Sequence, residues 1–490
     1  MSIKLKTLFY FCPSTALHYL CRVLYYRPMK NRLYYTFLLM ILVTGGLIAL
    51  HYLPSINIGD RKLRKVDILS DIRKSPELET IHLDLADTIV DDSIIIPKPA
   101  FVDSCKAGME CIEDYSDSTM RGMSLFYEAL GNINKLDRPV RIAYFGDSYI
   151  EGDILTSDLR FLFQKKFGGK GVGYVTVTSK FPGFRPTVKH SFDGWKSHYI
   201  TDTIGFNRKL QGLSNSYYLA REGAYVELSG MKKYLPNHDS CSISSFFYVA
   251  NDSLHITAKV NGGIEHNFFV KGDSTLNTVS VEGNIQNIVW TVKEGADNSV
   301  FYAATMDPNN GVIVDNFSTR GSSGQQLSGI PYKMLRSYNR LRKYDLIVLQ
   351  YGLNVAFEGG KDYNYYKTGM KPVIENIKSA FPEASVLIVG VGDRETKDDE
   401  GNLRTMPGIV NLIRNQQALA SETNVAFWNL YRAMGGEGSI VEMVNSKPSM
   451  ANYDYTHINF QGGKHIANLL FDAIMYDKEQ YEKRKAYERE

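Results

Sequence analysis

Residues 142–153 have the sequence IAYFGDSYIEGD, and this stretch decides the fold. A short apolar run ends at Gly146, Asp147 and Ser148, and a polar turn follows. Such a pattern is typical of a buried strand that stops at a turn. Ser148 is then either a nucleophile presented at the end of the strand or a cap for the helix that follows. The segments around this stretch decide between the two interpretations.

Strand and helix patterns alternate on both sides of a central β-rich region. Residues 140–145 (VRIAYF) indicate a buried strand, and 156–167 (TSDLRFLFQKKF) indicate a helix with a Thr or Ser cap. The alternation resumes after residue 306, which predicts a doubly wound parallel sheet with helices on both faces. Residues 186–305 instead show short alternating strands separated by Asn-Gly and Gly-Asp turns. That pattern predicts an inserted β-sandwich or jelly roll.

The N-terminal part predicts a membrane anchor. Residues 1–32 carry six Lys or Arg and no acid, and residues 33–59 carry no charged side chain. A run of this length and polarity predicts a transmembrane helix, and the positive-inside rule keeps the N-terminus in the cytoplasm. The expected location is therefore the bacterial inner membrane, with a single pass and the remainder on the periplasmic side. Basic residues after the span oppose this orientation, and a cleaved signal peptide is the alternative.

Together these patterns predict seven segments. They are a cytoplasmic tail (1–32), a transmembrane helix (33–54), a stalk (55–118), the first part of the α/β domain (119–185), the β insertion (186–305), the second part of the α/β domain (306–480) and a charged tail (481–490).

Composition narrows the possible partners and cofactors. The net charge is only +3 over 490 residues, and no basic patch outside the N-terminal tail predicts a nucleic-acid partner. No Cys or His motif of metal-binding spacing occurs, so we expect no metal and no cofactor. Cys105 and Cys111 either close a small disulfide loop or remain free thiols, and Cys241 would be left over.

Polar groups follow the predicted parallel strands, at the edge where such sheets place their sites. Ser148 would attack a carbonyl carbon, His457 would act as general base and then general acid, and Asp454, three residues earlier, would orient the imidazole. The backbone N–H groups of Ser148 and Gly324 and the side-chain amide of Asn354 would stabilise the oxyanion. Gly321 competes with Gly324 for this role.

These motifs resemble those of the SGNH, or GDSL-type, hydrolase family. The matching motifs are GDS (146–148), SSG ending at Gly324, GLN ending at Asn354 and DYTH (454–457), over about 120–185 and 306–475. The resemblance implies a flavodoxin-like fold and a serine esterase with Ser148, Asp454 and His457 as the triad.

A narrower similarity is to bacterial members with a carbohydrate-binding-like β-domain between the first two motifs, which include peptidoglycan O-acetylesterases. Tyr149 stands where such relatives often have His, and Val355 where an acid is common. Both are therefore expected near the substrate, and Trp195 is a candidate for stacking on a sugar.

The expected function is that of a membrane-anchored, extracytoplasmic serine esterase that removes O-acyl groups, with O-acetyl favoured, from a cell-envelope or extracellular glycan. One alternative is an O-acetyltransferase that works with a membrane-bound O-acyltransferase. A second is a glycan-binding envelope protein without catalysis.

Overall fold

The structure is a computed structural model that describes residues 37–45, 104–116, 122–202, 204–232 and 234–489, and the backbone of 57–58 and 61–62. The chain divides into two compact units, 1–97 and 98–490. The second unit contains the α/β sheet and the β-rich region.

In the first unit, residues 37–45 are helical, and Asn57–Ile58 pairs antiparallel with Arg61–Lys62. The predicted transmembrane helix (33–54) lies only partly within the described residues. Nowhere in the described part of the chain does a helix combine the length and the apolar composition that a membrane crossing requires. The basic tail, most of the predicted stalk and residue 490 lie outside the described residues.

The second unit opens with a disulfide between Cys105 and Cys111, whereas Cys241 is a buried free thiol. Its strands and longer helices are, in chain order, β1 (Glu113–Asp114), α1 (Ser124–Gly131), β2 (Val140–Gly146), α2 (Thr156–Phe167), β3 (Gly173–Thr176), β4 (Val188–Tyr199), β5 (Ser216–Gly230), β6 (Cys241–Ala250), β7 (Leu254–Val260), β8 (Glu265–Val270), β9 (Leu276–Ile285), β10 (Asn287–Glu294), β11 (Ser299–Met306), β12 (Val312–Ser318), α3 (Tyr332–Arg342), β13 (Leu346–Gln350), α4 (Asn364–Ala380), β14 (Ser385–Val389), β15 (Glu395–Lys397), β16 (Leu403–Thr405), α5 (Gly408–Thr423), β17 (Ala426–Trp428), α6 (Leu430–Met434), α7 (Ser439–Asn445) and α8 (Phe460–Arg489).

The α/β part is built on a six-stranded sheet in the order β12-β2-β13-β14-β17-β1. The first five of these strands are parallel, and β1 adds an antiparallel edge. The chain runs from β2 outward to β12 and then returns across β2 to β13. This reversal makes a topological switch point between β2 and β13, where open parallel sheets bind their ligands. The predicted parallel-sheet α/β fold is confirmed.

The helices follow from apolar spacing along the chain. In α4 the buried residues Tyr366, Met370, Ile374 and Ile377 recur every three or four positions, which forms one apolar stripe. Helix α4 contacts α3 and α5, and helix α8 contacts α1 and α2. A parallel sheet with helices on both faces needs one group of helices for each face, and these contacts define two such groups.

The β-rich region is one nine-stranded antiparallel sheet rather than the two separate sheets of a sandwich. Seven strands follow the order β8-β7-β10-β5-β11-β6-β9, while β3 pairs with β11 and β4 with β5. The Trp290 ring on β10 stacks on Phe246 of β6 with centroids 5.6 Å apart, although β5 and β11 separate these strands in the sheet. The sheet therefore folds over on itself and is barrel-like. It also begins earlier than predicted, because β3 precedes residue 186.

A buried ion pair network joins the β-rich sheet to the parallel sheet. The Arg342 guanidinium at the end of α3 donates to Asp307, just after β11, at 2.8 Å, and to Asp315 on β12 at 2.8 Å. Asp315 also accepts the backbone N–H of Tyr174 on β3 at 2.8 Å. All three charged side chains are buried. One arginine thus pairs with carboxylates from both sheets, which fixes the sheets relative to each other.

We expect Arg342→Met to destabilise the protein by about 3–5 kcal/mol, because it leaves two buried carboxylates without their cation. The free energy of unfolding in urea measures this effect. Arg221→Ala is the matched control, since Arg221 and Asp193 form a 2.6 Å pair whose side chains are 71% and 66% exposed. The control should change stability by about 1 kcal/mol or less. Equal effects of the two substitutions would contradict the structural role of Arg342.

Candidate active site

Ser148 lies in a short 3-10 stretch that follows β2 directly. This stretch spans Ser148–Asp153, and α2 begins only at Thr156, with Leu155 as its N-cap and no side-chain cap. The prediction that a Thr or Ser caps this helix is therefore wrong. Gly146 is required at the strand end, because a Cβ there would lie 2.9 Å from the Ile150 side chain and 3.0 Å from the Gln350 carbonyl oxygen. The turn consequently packs tightly over the carboxyl ends of β2 and β13.

The loop before α8 brings an imidazole to this serine. Asp454 Oδ1 accepts the backbone N–H of His457 at 2.9 Å and that of Thr456 at 3.0 Å. Asp454 Oδ2 lies 2.8 Å from His457 Nδ1, and His457 Nε2 lies 3.0 Å from Ser148 Oγ. The three side chains that the motifs singled out thus form one continuous chain of hydrogen bonds, across 309 sequence positions.

The electrostatics of this chain suit a general base. Partial burial acts to raise the pKa of Asp454, but hydrogen bonds from the His457 backbone and ring and from Thr456 outweigh it and hold that pKa below its ordinary value. The carboxylate therefore stays ionised at neutral pH and favours the tautomer with the proton on Nδ1. In that tautomer Nε2 is free to accept the serine proton.

Two of the three oxyanion donors predicted from the sequence, the Asn354 amide and the Gly324 N–H, already have partners. Asn354 Nδ2 donates to Asp147 Oδ2 at 3.2 Å and to the Ser322 carbonyl at 3.1 Å. The N–H of Gly324 donates to Ser322 Oγ at 3.0 Å. Gly321, the competing donor, is exposed, and a Cβ at its position would meet nothing within 4 Å. An oxyanion would have to displace the present acceptors of Asn354 and Gly324.

Asp147 is a supporting residue of the serine turn. Its side chain is buried and accepts hydrogen bonds from the Tyr149 backbone N–H at 3.0 Å and from Asn354. Burial raises its pKa to about 6, against the lowering effect of these hydrogen bonds and of His457. Since it contacts both the serine turn and Asn354, Asp147 fixes the relative position of two site loops.

Two of the three side chains that we expected to contact substrate are buried. The Tyr149 side chain is buried, and its hydroxyl lies 3.5 Å from Met434 Sδ in the core. Val355 is also buried. The Trp195 ring packs edge-on against Phe301 at 5.3 Å, and its Nε1 donates to a backbone carbonyl of β5. The Tyr149 and Val355 side chains pack in the core, which corrects the prediction for these two, while the stacking of Trp195 on a sugar stays a prediction.

A hairpin formed by β15 and β16 supports the histidine loop and was not predicted. The backbone N–H of Glu395 donates to the Tyr455 carbonyl at 3.0 Å, and Arg394 Nη1 donates to the Leu353 carbonyl at 3.1 Å. Tyr455, between Asp454 and His457, has a φ of 49°, a conformation that costs energy in a non-glycine residue. The hairpin therefore stabilises an unfavourable backbone conformation beside the imidazole.

Two adjacent glycines let α8 approach the serine turn. A Cβ at Gly463 would lie 1.9 Å from the Ile154 carbonyl oxygen, and one at Gly462 would lie 2.1 Å from the Met450 carbonyl oxygen. Because α8 follows the His457 loop directly, this close packing sets the distance between His457 and Ser148.

The described residues contain no group of three or more His, Cys, Asp or Glu side chains that could hold a metal ion. The reactive side chains that converge at this site are those of a serine, a histidine and an aspartate.

Comparison with known proteins identifies the fold. No protein-family profile and no curated protein sequence matches the chain. The structure of a peptidoglycan O-acetylesterase superposes with a TM-score of 0.61 at 20% identity, covering 75% of this chain and 99% of the other. A family two carbohydrate esterase from Clostridium thermocellum gives a TM-score of 0.26 at 13% identity, covering 59% of this chain and 99% of the other. A GDSL-like lipase from Parabacteroides merdae also gives 0.26 at 13% identity, covering 34% and 74%.

The chain therefore has an SGNH/GDSL hydrolase-like fold, and the resemblance inferred from the four motifs is confirmed at the level of fold. The similarity to the peptidoglycan O-acetylesterase extends over three quarters of the chain, more than the α/β part alone provides.

We expect Gly463→Ala to lower kcat/KM for a small acetate ester by about 100-fold, since a misplacement of about 1 Å in a catalytic constellation costs this much. The added Cβ forces α8 away from the serine turn. Gly131→Ala is the matched control, because Gly131 is also helical and a Cβ there meets nothing within 4 Å. Steady-state kinetics of both variants test the expectation, and unchanged kinetics in Gly463→Ala would refute it.

We expect Glu395→Gln to stabilise the protein more at about pH 9 than at about pH 5. Burial, followed by the neighbouring Asp393 carboxylate, raises the pKa of Glu395 to about 7 from 4.5. A carboxyl whose folded pKa is raised contributes stability below its unfolded pKa and loses it as pH rises through the folded value. Because a Gln side chain does not ionise, the variant does not lose stability in this way as the pH rises. Melting temperatures of both proteins across this range provide the measurement.

Glu400→Gln serves as its control, because Glu400 is exposed at the tip of the same hairpin. A stability difference between wild type and Glu395→Gln that is independent of pH would contradict the assignment.

Proposed function

We propose that this protein is a serine esterase that removes O-acetyl groups from a glycan. The observation that carries the proposal is the chain of hydrogen bonds from Asp454 through His457 to Ser148, 2.8 and 3.0 Å long, at the switch point of a parallel sheet. A serine hydroxyl bonded to an imidazole that is oriented by a carboxylate is the arrangement that activates a nucleophile for acyl transfer.

The reaction follows from this geometry. Ser148 Oγ attacks the acetyl carbonyl carbon while His457 Nε2 takes its proton, and Asp454 stabilises the imidazolium that forms. The negative charge that develops on the carbonyl oxygen is stabilised by N–H donors of the loops that follow β2, β12 and β13. When the tetrahedral intermediate collapses, His457 returns the proton to the leaving sugar oxygen. Water then attacks the acetyl-serine ester by the same route and releases acetate.

A glycan ester is the substrate that the comparisons support. The peptidoglycan O-acetylesterase matches this chain over nearly its own full length, including the β-rich part. A serine that acts on acetyl esters of a polymer needs an open approach, and Ser148 and His457 are only half-buried while Asp454 is exposed. An acetylated cell-envelope glycan, with peptidoglycan as the first candidate, fits both points.

The same proposal includes the location. Residues 33–54 would anchor the protein in the bacterial inner membrane, with the esterase on the periplasmic side. The uncharged sequence of residues 33–59 supports the anchor, and the disulfide between Cys105 and Cys111 supports an oxidising compartment for the esterase part of the chain.

We expect Ser148→Ala to reduce acetate release from O-acetylated peptidoglycan by about 1,000-fold or more, because the nucleophile is lost. Acetylated xylan and p-nitrophenyl acetate, measured in parallel, rank the substrate classes. Ser328→Ala is the matched control, since Ser328 is exposed and donates only to the local Gln325 carbonyl. Wild-type turnover in Ser148→Ala would exclude this mechanism.

The product distribution separates hydrolysis from transfer. The acetyl-serine ester could also react with a sugar hydroxyl, as in an O-acetyltransferase that works with a membrane-bound O-acyltransferase. Acetyl groups that accumulate on an acceptor glycan faster than free acetate appears would indicate transfer. Glycan binding by the wild-type protein without turnover of any acyl ester would instead indicate a binding protein.

A further inference from the structure

A cavity of about 200 Å³ lies between the β-rich sheet and the loops of the α/β part, beside the serine turn. Its lining comes from three places: strands β3, β4 and β5 with the loop that joins β3 to β4, the end of β12 with Thr319 and Arg320, and residues 151–153 of the serine turn. Neither Ser148 nor His457 lines it. We propose that this cavity is a binding subsite for one sugar ring of the acetylated glycan, next to the ring whose ester is cleaved.

The cavity wall is rich in hydroxyl groups. Ser216 Oγ lies 2.8 Å from Ser214 Oγ and 3.0 Å from the Tyr218 hydroxyl. On the neighbouring strand, where Tyr199 pairs with Ser216, the Tyr199 hydroxyl lies 2.9 Å from Thr178 Oγ1. Each hydroxyl is both a donor and an acceptor and can rotate, so that such a wall can exchange hydrogen bonds with the hydroxyl groups of a sugar.

Two exposed phenylalanines stand at the rim, on the loop that joins β3 to β4. Phe181 is 47% exposed and Phe184 is 40% exposed. The Phe184 ring covers Gly152 of the serine turn, because a Cβ at Gly152 would lie 2.5 Å from it. Phe181 has the Arg320 guanidinium over one face at 4.8 Å. Its other exposed surface offers an apolar face of the kind on which a pyranose ring stacks.

The charge of the cavity lining, and the ion pair that links the lining to the serine turn, are both compatible with a sugar ligand. Three cations, Lys180, Arg185 and Arg320, face two carboxylates, Glu151 and Asp153, which leaves one positive charge in excess. Arg320 Nε donates to Glu151 at 2.9 Å, and Glu151 lies three residues after Ser148. The cavity therefore shares its cationic rim with the turn that holds the nucleophile, and it favours a neutral or anionic sugar over a cationic one.

The size of the cavity sets the length of the ligand that it can take. A volume of about 200 Å³ is below the ~300–1,000 Å³ of sites for drug-sized ligands, so that it accommodates one ring rather than an oligosaccharide. The subsite rests on the proposed function, since it is defined relative to the acetylated ring at Ser148. It predicts that the enzyme prefers an acetylated polymer over an acetylated monosaccharide or an acetate ester without a sugar.

The test compares kcat/KM for O-acetylated peptidoglycan with kcat/KM for p-nitrophenyl acetate in the full chain. Phe181→Ala should lower the ratio of these two values about tenfold, the loss expected for one aromatic contact of about 1.4 kcal/mol. Phe181→Tyr, which keeps the aromatic face, should restore the ratio. Phe269→Ala is the matched control, because Phe269 is 77% exposed on β8 of the same sheet and does not line the cavity.

A second measurement separates this subsite from the proposed chemistry. In a Ser148→Ala background, which abolishes turnover, co-sedimentation with insoluble O-acetylated peptidoglycan should weaken about tenfold on adding Phe181→Ala and stay unchanged on adding Phe269→Ala. If wild-type hydrolysis depends on Ser148 but Phe181→Ala behaves like Phe269→Ala in both assays, the subsite is wrong and the esterase stands. If no acyl ester is hydrolysed while binding depends on Phe181, the cavity binds the glycan, but the proposed esterase activity is wrong and with it the cavity's place beside a cleaved ring.

Discussion

The contact between α8 and the turn after β2 is the constraint on which the candidate site depends. Ser148 and His457 come from opposite ends of the α/β part, and the packing of a helix on a turn brings them together. At Gly463 this packing leaves no room for a single methyl group, since a Cβ would lie 1.9 Å from the Ile154 carbonyl oxygen. A hydrogen bond of 3.0 Å between hydroxyl and imidazole is thus determined by backbone contact several residues away from either side chain.

A second constraint, the buried Arg342, determines where the β-rich sheet stands relative to this site. Its guanidinium binds carboxylates from β12 and from the segment after β11. Removing these charges from water costs free energy, and the ion pairs form only in a narrow range of geometries. We therefore expect them to contribute more to the specific arrangement of the two sheets than to the net stability of the protein. Through Asp315, which also accepts the Tyr174 N–H, this network holds β12 and β3 together, and both strands line the cavity.

The sequence was sufficient for the features that depend on local pattern. The alternation of strands and helices, the parallel sheet and the convergence of Ser148, Asp454 and His457 all follow from periodicity and from the rule that parallel strands end at one edge. Features that depend on distant partners were not predictable. The sequence does not show that the side chain of Tyr149, the residue after Ser148, turns into the core toward Met434. The strands of the hairpin at Glu395 are too short to show an alternating pattern in the sequence. The hairpin supports the site through a backbone hydrogen bond to Tyr455.

The loop from Thr319 to Gly324 connects the two parts of the site physically. At its start, Thr319 and Arg320 line the cavity, and Arg320 is bound to Glu151 in the serine turn. At its end, the Ser322 carbonyl accepts from Asn354 and the Ser322 hydroxyl accepts from Gly324. Asn354 and Gly324 can donate to an oxyanion only if their hydrogen bonds to Ser322 break. Ser322 therefore competes with the oxyanion of the transition state for the same two donors. A ring bound in the cavity lies beside the start of the same six-residue loop, and the position of that loop therefore bears on both binding and chemistry.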